Sequence, residues 1–222
     1  MKKTLILLGT ILVTSIVFLS FQSQKEKKPI VKPKVIKTTN EVVKTDNQKV
    51  VNILPLGDVS PEYLNIIKNS VESFYKYKCE VRPQAQLTDD LLAKSKTRYS
   101  ADAILEKYDS NKNLLIITER DIATPKDNYD EWGVLGLGYR PGNTCVVSTY
   151  RMKRNVSAQV IKDRVEKVSL HEIGHNLGLD HCDYDIECLM NDARGTIKQV
   201  DKEKKWLCKK CCNIIKRPFI EK

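Results

Sequence analysis

The segment His171-Glu172-Ile173-Gly174-His175-Asn176-Leu177-Gly178-Leu179-Asp180-His181 constrains this chain more than any other, and it contains all three of its histidines. On a helix, residues four apart share one face, so His171 and His175 can aim two imidazoles at a single ion. Glu172 projects beside them and can reach a water bound there. A glycine at 178 can take the left-handed conformation that ends a helix, which lets the chain turn back. His181 can then return as a third ligand. Three histidines with one open position are the pattern of a catalytic zinc site, whereas a structural site is closed by four ligands. A lone HExxH arises by chance in many helices. The eleven-residue pattern is expected by accident on the order of once in a million for a chain of this composition.

Seven cysteines follow a second pattern. Cys79 and Cys145 stand alone, and Cys182, Cys188, Cys208, Cys211 and Cys212 crowd the last fifth of the chain. An odd count does not fit an even disulfide framework. Cys208-Lys209-Lys210-Cys211 has zinc-knuckle spacing, and with Cys182 and Cys188 it could form a closed site of four thiolates. In an oxidising compartment some of these thiols could instead pair as disulfides.

The run His171 to Cys182, then Cys188-Leu189-Met190, seventeen intervening residues and Cys208 to Cys211, closely resembles the archaemetzincins. The resemblance extends to Ile53-Leu54-Pro55-Leu56-Gly57, Tyr99-Ser100-Ala101-Asp102 and Val146-Val147-Ser148-Thr149, and so covers roughly residues 50–215. It implies a catalytic zinc on His171, His175 and His181, with Glu172 as the base. It also implies a structural zinc on Cys182, Cys188, Cys208 and Cys211, hence two Zn2+ per chain. Met190 would be the Met-turn residue, a pliable apolar floor under the histidines. Two departures are visible: the gap from Cys182 to Cys188 is one residue longer than the family pattern, and Cys212 beside Cys211 is a second candidate fourth ligand.

Upstream, the pattern alternates strand and helix. Val50 to Leu56 reads as a buried strand. Ser60-Pro61 is an N-cap followed by proline at the first helical position, with apolar residues at helical spacing to Tyr77. Glu80 to Arg82 is a short strand, Ser100 opens a helix, and Asn113 to Thr118 is a central strand. Val134 to Tyr139 and Thr144 to Thr149 form a hairpin turned by Arg140-Pro141-Gly142-Asn143. Ser157 to Leu177 is one long helix. The expected class is α/β of the α+β kind: a metzincin-like mixed twisted sheet with packed helices, an active-site helix carrying HExxH, and a zinc-bound C-terminal subdomain. The expected domain spans residues 49–222. Within it, Thr144 to Thr149 is expected to be the edge strand that borders the cleft and accepts an extended peptide.

The formal net charge of +10 invites a nucleic-acid reading, but residues 1–49 hold ten lysines against three acids. The remaining residues are close to balanced, so nucleic acid has no special support as a partner. Residues 4–21 form an apolar run after Lys2 and Lys3, so residues 1–21 read as a signal peptide or an N-terminal membrane anchor. No small-x-small cleavage site follows. The lysines after the run outnumber those before it, which by the positive-inside count opposes export, while the signal-like start favours it. Residues 22–48, rich in Lys, Thr, Pro, Gln and Asn, read as a flexible linker. Export or membrane anchoring is the expected localisation, with the side of the membrane open.

The expected function is a zinc-dependent metallopeptidase in which a zinc-bound water, activated by Glu172, attacks a peptide carbonyl. Its partner would be a peptide or protein substrate, and the chain would act as a monomer. Tyr139, Tyr150 and Tyr184 stand as candidates for a further oxyanion donor. The alternative is a non-hydrolytic zinc-containing peptide-binding module, for which a carboxylate at position 172 would be unnecessary.

Overall fold

The computed structural model describes residues 49–221. The leader or anchor expected over residues 1–21 and the linker over 22–48 therefore lie outside the described residues. Among the described residues, no helix is long and apolar enough to cross a membrane.

Strands β1 (Val50–Pro55), β2 (Lys78–Val81), β4 (Leu114–Thr118), β7 (Gly136–Gly138) and β8 (Thr144–Ser148) make one sheet in the order β2-β1-β4-β8-β7. The first four run parallel, and β7 pairs antiparallel with β8. A parallel sheet is covered on both faces, so its strands read as continuous apolar runs. In β4, Leu115 and Ile117 enter one core while Ile116 enters the other. In β8, Cys145 and Val147 part from Val146 in the same way, as the two-residue period of a strand requires.

Helices α1 (Pro61–Tyr75) and α3 (Ala158–Asn176) belong to the first core. The shorter α2 (Ala101–Lys107) belongs to the second, with Ile104 and Leu105 fully buried against Ile116, Ile122 and Val146. The side chains of Ser60, Ser100 and Ser157 cap α1, α2 and α3, each accepting a backbone N–H of the first turn. A second sheet, β3 (Tyr99–Ser100), β5 (Ile122–Lys126) and β6 (Tyr129–Val134), lies in the order β3-β5-β6. The sequence pattern did not reveal it beyond Val134.

The expected mixed sheet with packed helices is thus present, and the hairpin and the long helix fall where the pattern places them. One expectation is corrected. Thr144 to Thr149 is not an edge: β8 lies between β4 and β7, both hydrogen-bonded to it. All five residues of β8 are buried, the mark of an interior strand. The edge of the sheet beside α3 is β7.

After α3 the chain has little regular structure. Short helices α4 (Ile197–Lys202) and α5 (Lys209–Ile214) are its only helices among the described residues. Because this lobe covers α3, Arg164 to Gly174 is buried without interruption. The charged residues in the first turn of that stretch are paired accordingly. Arg164 makes a fork to Asp201, at 2.7 Å from both Nε and Nη2, and donates to the Met152 carbonyl. Lys167 Nζ meets Asp163 and the Val200 carbonyl, and Glu166 pairs with Lys205.

Candidate active site and cysteine cluster

Helix α3 ends at Asn176 because Gly178 takes a left-handed φ of +94°. Gly178 N–H donates to the His175 carbonyl and Leu179 N–H to that of Gly174, closing the helix as the chain reverses. His181 thereby returns toward His171 and His175. One ligand atom from each of these three imidazoles lies within 4.8 Å of the others.

The ring tautomers follow from their partners. His171 Nδ1 lies 2.7 Å from the Leu189 carbonyl, and His175 Nδ1 lies 2.8 Å from that of Leu179. A carbonyl only accepts, so both Nδ1 atoms carry the proton and both Nε2 atoms keep a free lone pair. Burial holds His171 down to about 3 and His175 to about 4, and it also lowers His181 against the opposing pull of Asp192. At neutral pH the three rings are uncharged donors converging on one point. That donor set fits a zinc ion with a position left open.

Glu172 is buried, and desolvation raises its carboxyl to about 8; a cation held by the neighbouring histidines would oppose that rise and favour the carboxylate. The backbone of β7 lies against it. A Cβ added at Gly136 would sit 2.5 Å from Glu172 Oε1, so this position admits only a glycine without displacing the carboxylate. Gly174 has a matching role on the other side: a Cβ there would meet Met190 Sδ at 2.4 Å. Met190, fully buried, therefore packs directly against the backbone of the HExxH turn. Tyr75 Oη, 3.3 Å from the same point, donates to the Leu170 carbonyl and ties α1 to α3.

A cleft of about 390 Å³ opens over the histidines, lined by Gly136, Leu137 and Gly138 of β7 and by His171, Glu172, His175 and His181. Asp192, Val200 and Glu203 from the C-terminal lobe line it as well. None of Tyr139, Tyr150 and Tyr184 lines this cleft, and all three are exposed. They are therefore out of place for an oxyanion donor. Sequence reasoning missed Glu203, which stands in a run of charged residues that looks solvated.

The cysteines form a second cluster. One sulfur each from Cys182, Cys188, Cys208 and Cys211 lies within 4.8 Å of the others, and all four are buried. Cys212 stays outside, its thiol donating to the Leu207 carbonyl. Cys182 and Cys208 sulfurs are 3.5 Å apart and Cys188 and Cys211 sulfurs 3.8 Å, far beyond a disulfide bond. Hydrogen bonding with the Cys211 thiol and the N–H of Cys208 draws the Cys188 thiol down to about 5. Burial pushes Cys208 up to about 11, and hydrogen bonding with Cys188 also holds Cys211 up. One thiolate is thus favoured without a cation. Ionising all four requires a positive charge among them, and four buried thiolates fit a tetrahedral zinc.

The two clusters share backbone. Cys182 follows His181 directly, Cys182 N–H donates to the Met190 carbonyl at 2.7 Å, and Leu189 N–H donates to that of Trp206 at 2.8 Å.

Comparison with known proteins agrees with this arrangement. Residues 16–217 match Peptidase family M54. An archaemetzincin of Halobacterium salinarum is 32% identical over 172 residues, covering 72% of this chain and 96% of the relative. The crystal structure of archaemetzincin from Archaeoglobus fulgidus, complexed with malonate, superposes with a TM-score of 0.66 at 25% identity. It covers 74% of this chain and 99% of that one. The archaemetzincin of Methanopyrus kandleri, at 23% identity and a TM-score of 0.67, shares the fold over 79% of this chain and 97% of its own. With the sequence match, the fold and the converging histidines in agreement, this chain belongs to peptidase family M54, the archaemetzincins, and is a zinc metallopeptidase.

Proposed function

We propose that the chain hydrolyses peptide bonds with Glu172 as general base, at a zinc held by His171, His175 and His181. The observation that carries this reading is the buried Glu172 carboxyl beside three neutral, converging imidazoles in an open cleft. Zinc bound there would supply Lewis-acid activation of a water and of the scissile carbonyl. Glu172 takes the proton of that water and returns it to the leaving amine. The carbonyls of Leu189 and Leu179 hold the rings of His171 and His175 in register. The free edge of β7 lets an extended substrate add antiparallel, and its glycines allow close approach to Glu172.

A second zinc on Cys182, Cys188, Cys208 and Cys211 belongs to the same proposal, as a closed structural site. So do a leader or anchor over residues 1–21, supported by its apolar run, and a tether over residues 22–48. The binding-module alternative is not favoured, because nothing in metal binding alone calls for a carboxylate buried at position 172.

The test compares wild type with Glu172→Gln in residues 49–222. Metal analysis should find two zinc ions in both proteins. Cleavage of a peptide library should fall by about 10²- to 10⁴-fold in the variant, the range of a general base. Two zinc ions with no cleavage by wild type would return the binding module.

A further inference from the structure

One wall of the cleft differs from the rest. Val168, Val200 and Leu135 line it and are 5, 2 and 7% exposed, which makes it an apolar passage. Among them lies Glu203, 4% exposed, at the C-terminal cap of α4. Its Oε1 is buried and has no hydrogen-bond partner. Lys167, whose charge acts on Glu203, spends its ammonium on Asp163 and on the Val200 carbonyl. The other cations of the cleft, Lys126, Arg140 and Arg194, are exposed. A buried carboxyl oxygen without a partner costs stability, and desolvation raises Glu203 to about 8 against the opposing pull of the Lys167 charge and a hydrogen bond with Gln199. Such a group is tolerated where a ligand supplies what the fold withholds.

Resting on the peptidase reading above, we propose that Glu203 is a specificity-determining residue that receives the cationic side chain of a lysine or arginine in the substrate. The shape and chemistry agree. The methylene stem of such a side chain suits the valine and leucine walls. Its charged head gives Oε1 the charge-assisted hydrogen bond it lacks. A carboxylate partnered in this way discriminates strongly against a neutral isostere, because that ligand leaves the buried group unpaired.

The test uses peptides of one sequence with lysine or norleucine at each position in turn, with free or acetylated N-termini. Cleavage sites are mapped by mass spectrometry, and binding is read by fluorescence anisotropy on Glu172→Gln, which needs no turnover. At one position relative to the cleaved bond, lysine should be preferred over norleucine by on the order of 10- to 100-fold in kcat/KM and in affinity. Glu203→Gln should erase that preference while still cleaving the norleucine peptide. Equal use of lysine and norleucine by wild type at every position would overturn the proposal. So would a preference that survives in Glu203→Gln, or one that depends only on the free terminal amine. Should Glu203→Gln fail to fold, the wild-type comparison decides alone. Absence of cleavage with a lysine preference in binding would break the hydrolytic reading and keep this one. Cleavage without preference would do the reverse.

Discussion

The histidine and cysteine clusters gather their ligand atoms within the same 4.8 Å, yet their surroundings are opposite. The histidines face a cleft, with His181 exposed and the edge of β7 beside Glu172. The cysteines are at most 3% exposed, and none of them lines that cleft. Donor type and access thus vary together. Neutral imidazoles, two of them fixed through Nδ1 to a carbonyl, leave room for a reacting water. Thiols that cannot all ionise without a cation leave none. Convergence of ligands is common to both clusters, and donor type and surroundings together set them apart.

The sharpest way to break this contrast is Cys208→Ser. Loss of the proposed structural zinc should lower the melting temperature by about 10 °C, since zinc binding at a closed site is folding free energy. Because His181 and Cys182 are neighbours, peptidase activity should also fall, on the order of 10-fold. Calorimetry and metal analysis read the first effect, and kcat/KM the second. Full activity with one zinc would show that the two clusters are independent.

Gly136→Ala probes the opposite side of the contrast. A methyl group 2.5 Å from Glu172 Oε1 must displace the carboxylate. Activity should drop by on the order of 10- to 100-fold, with zinc content unchanged and thermal stability nearly so. An alanine variant with wild-type kcat would place the working position of Glu172 away from β7.

Asp201→Asn touches neither cluster and should show the smallest change. It removes the charge from the Arg164 fork that ties α3 to α4, at a cost of about 1 kcal/mol for a partner that is 41% exposed. Hydrogen bonding to Arg164 holds the Asp201 carboxyl below its ordinary 3.8. The ion pair therefore stabilises the fold above that value and loses its effect as pH falls through the lower, folded-state one. Wild type and variant should converge in acid, which chemical denaturation at pH 7 and pH 2.5 would show.

How far the residues announce all this depends on periodicity. The long helix, the serine cap of α1, the strands at Val50 to Leu56 and Asn113 to Thr118 and the eleven-residue motif are local patterns, and each stands where the sequence places it. Cys211, and not Cys212, joins the sulfur cluster; both are buried, and they differ in which face of α5 meets the other three sulfurs. β5 and β6 escaped because Ile122–Lys126 carries a proline and two polar residues, and Tyr129–Val134 has no apolar alternation. The edge assignment failed where a signal existed: Thr144 to Ser148 is wholly buried, and its Cys-Val-Val centre already favours an interior strand. Glu203 could not be found from its neighbours, because burial of one acid in a lysine-rich run is decided by the lobe folding over α3.

The carbonyl that steadies His171 belongs to Leu189, whose own N–H is bonded to Trp206, next but one to Cys208. Proteins are synthesised from the N-terminus onward. A nascent chain halted before Trp206 would already carry the whole HExxH helix but lack the anchor for Leu189, and with it the brace on the first histidine. Hydrolytic competence would then wait on residues well beyond the last histidine.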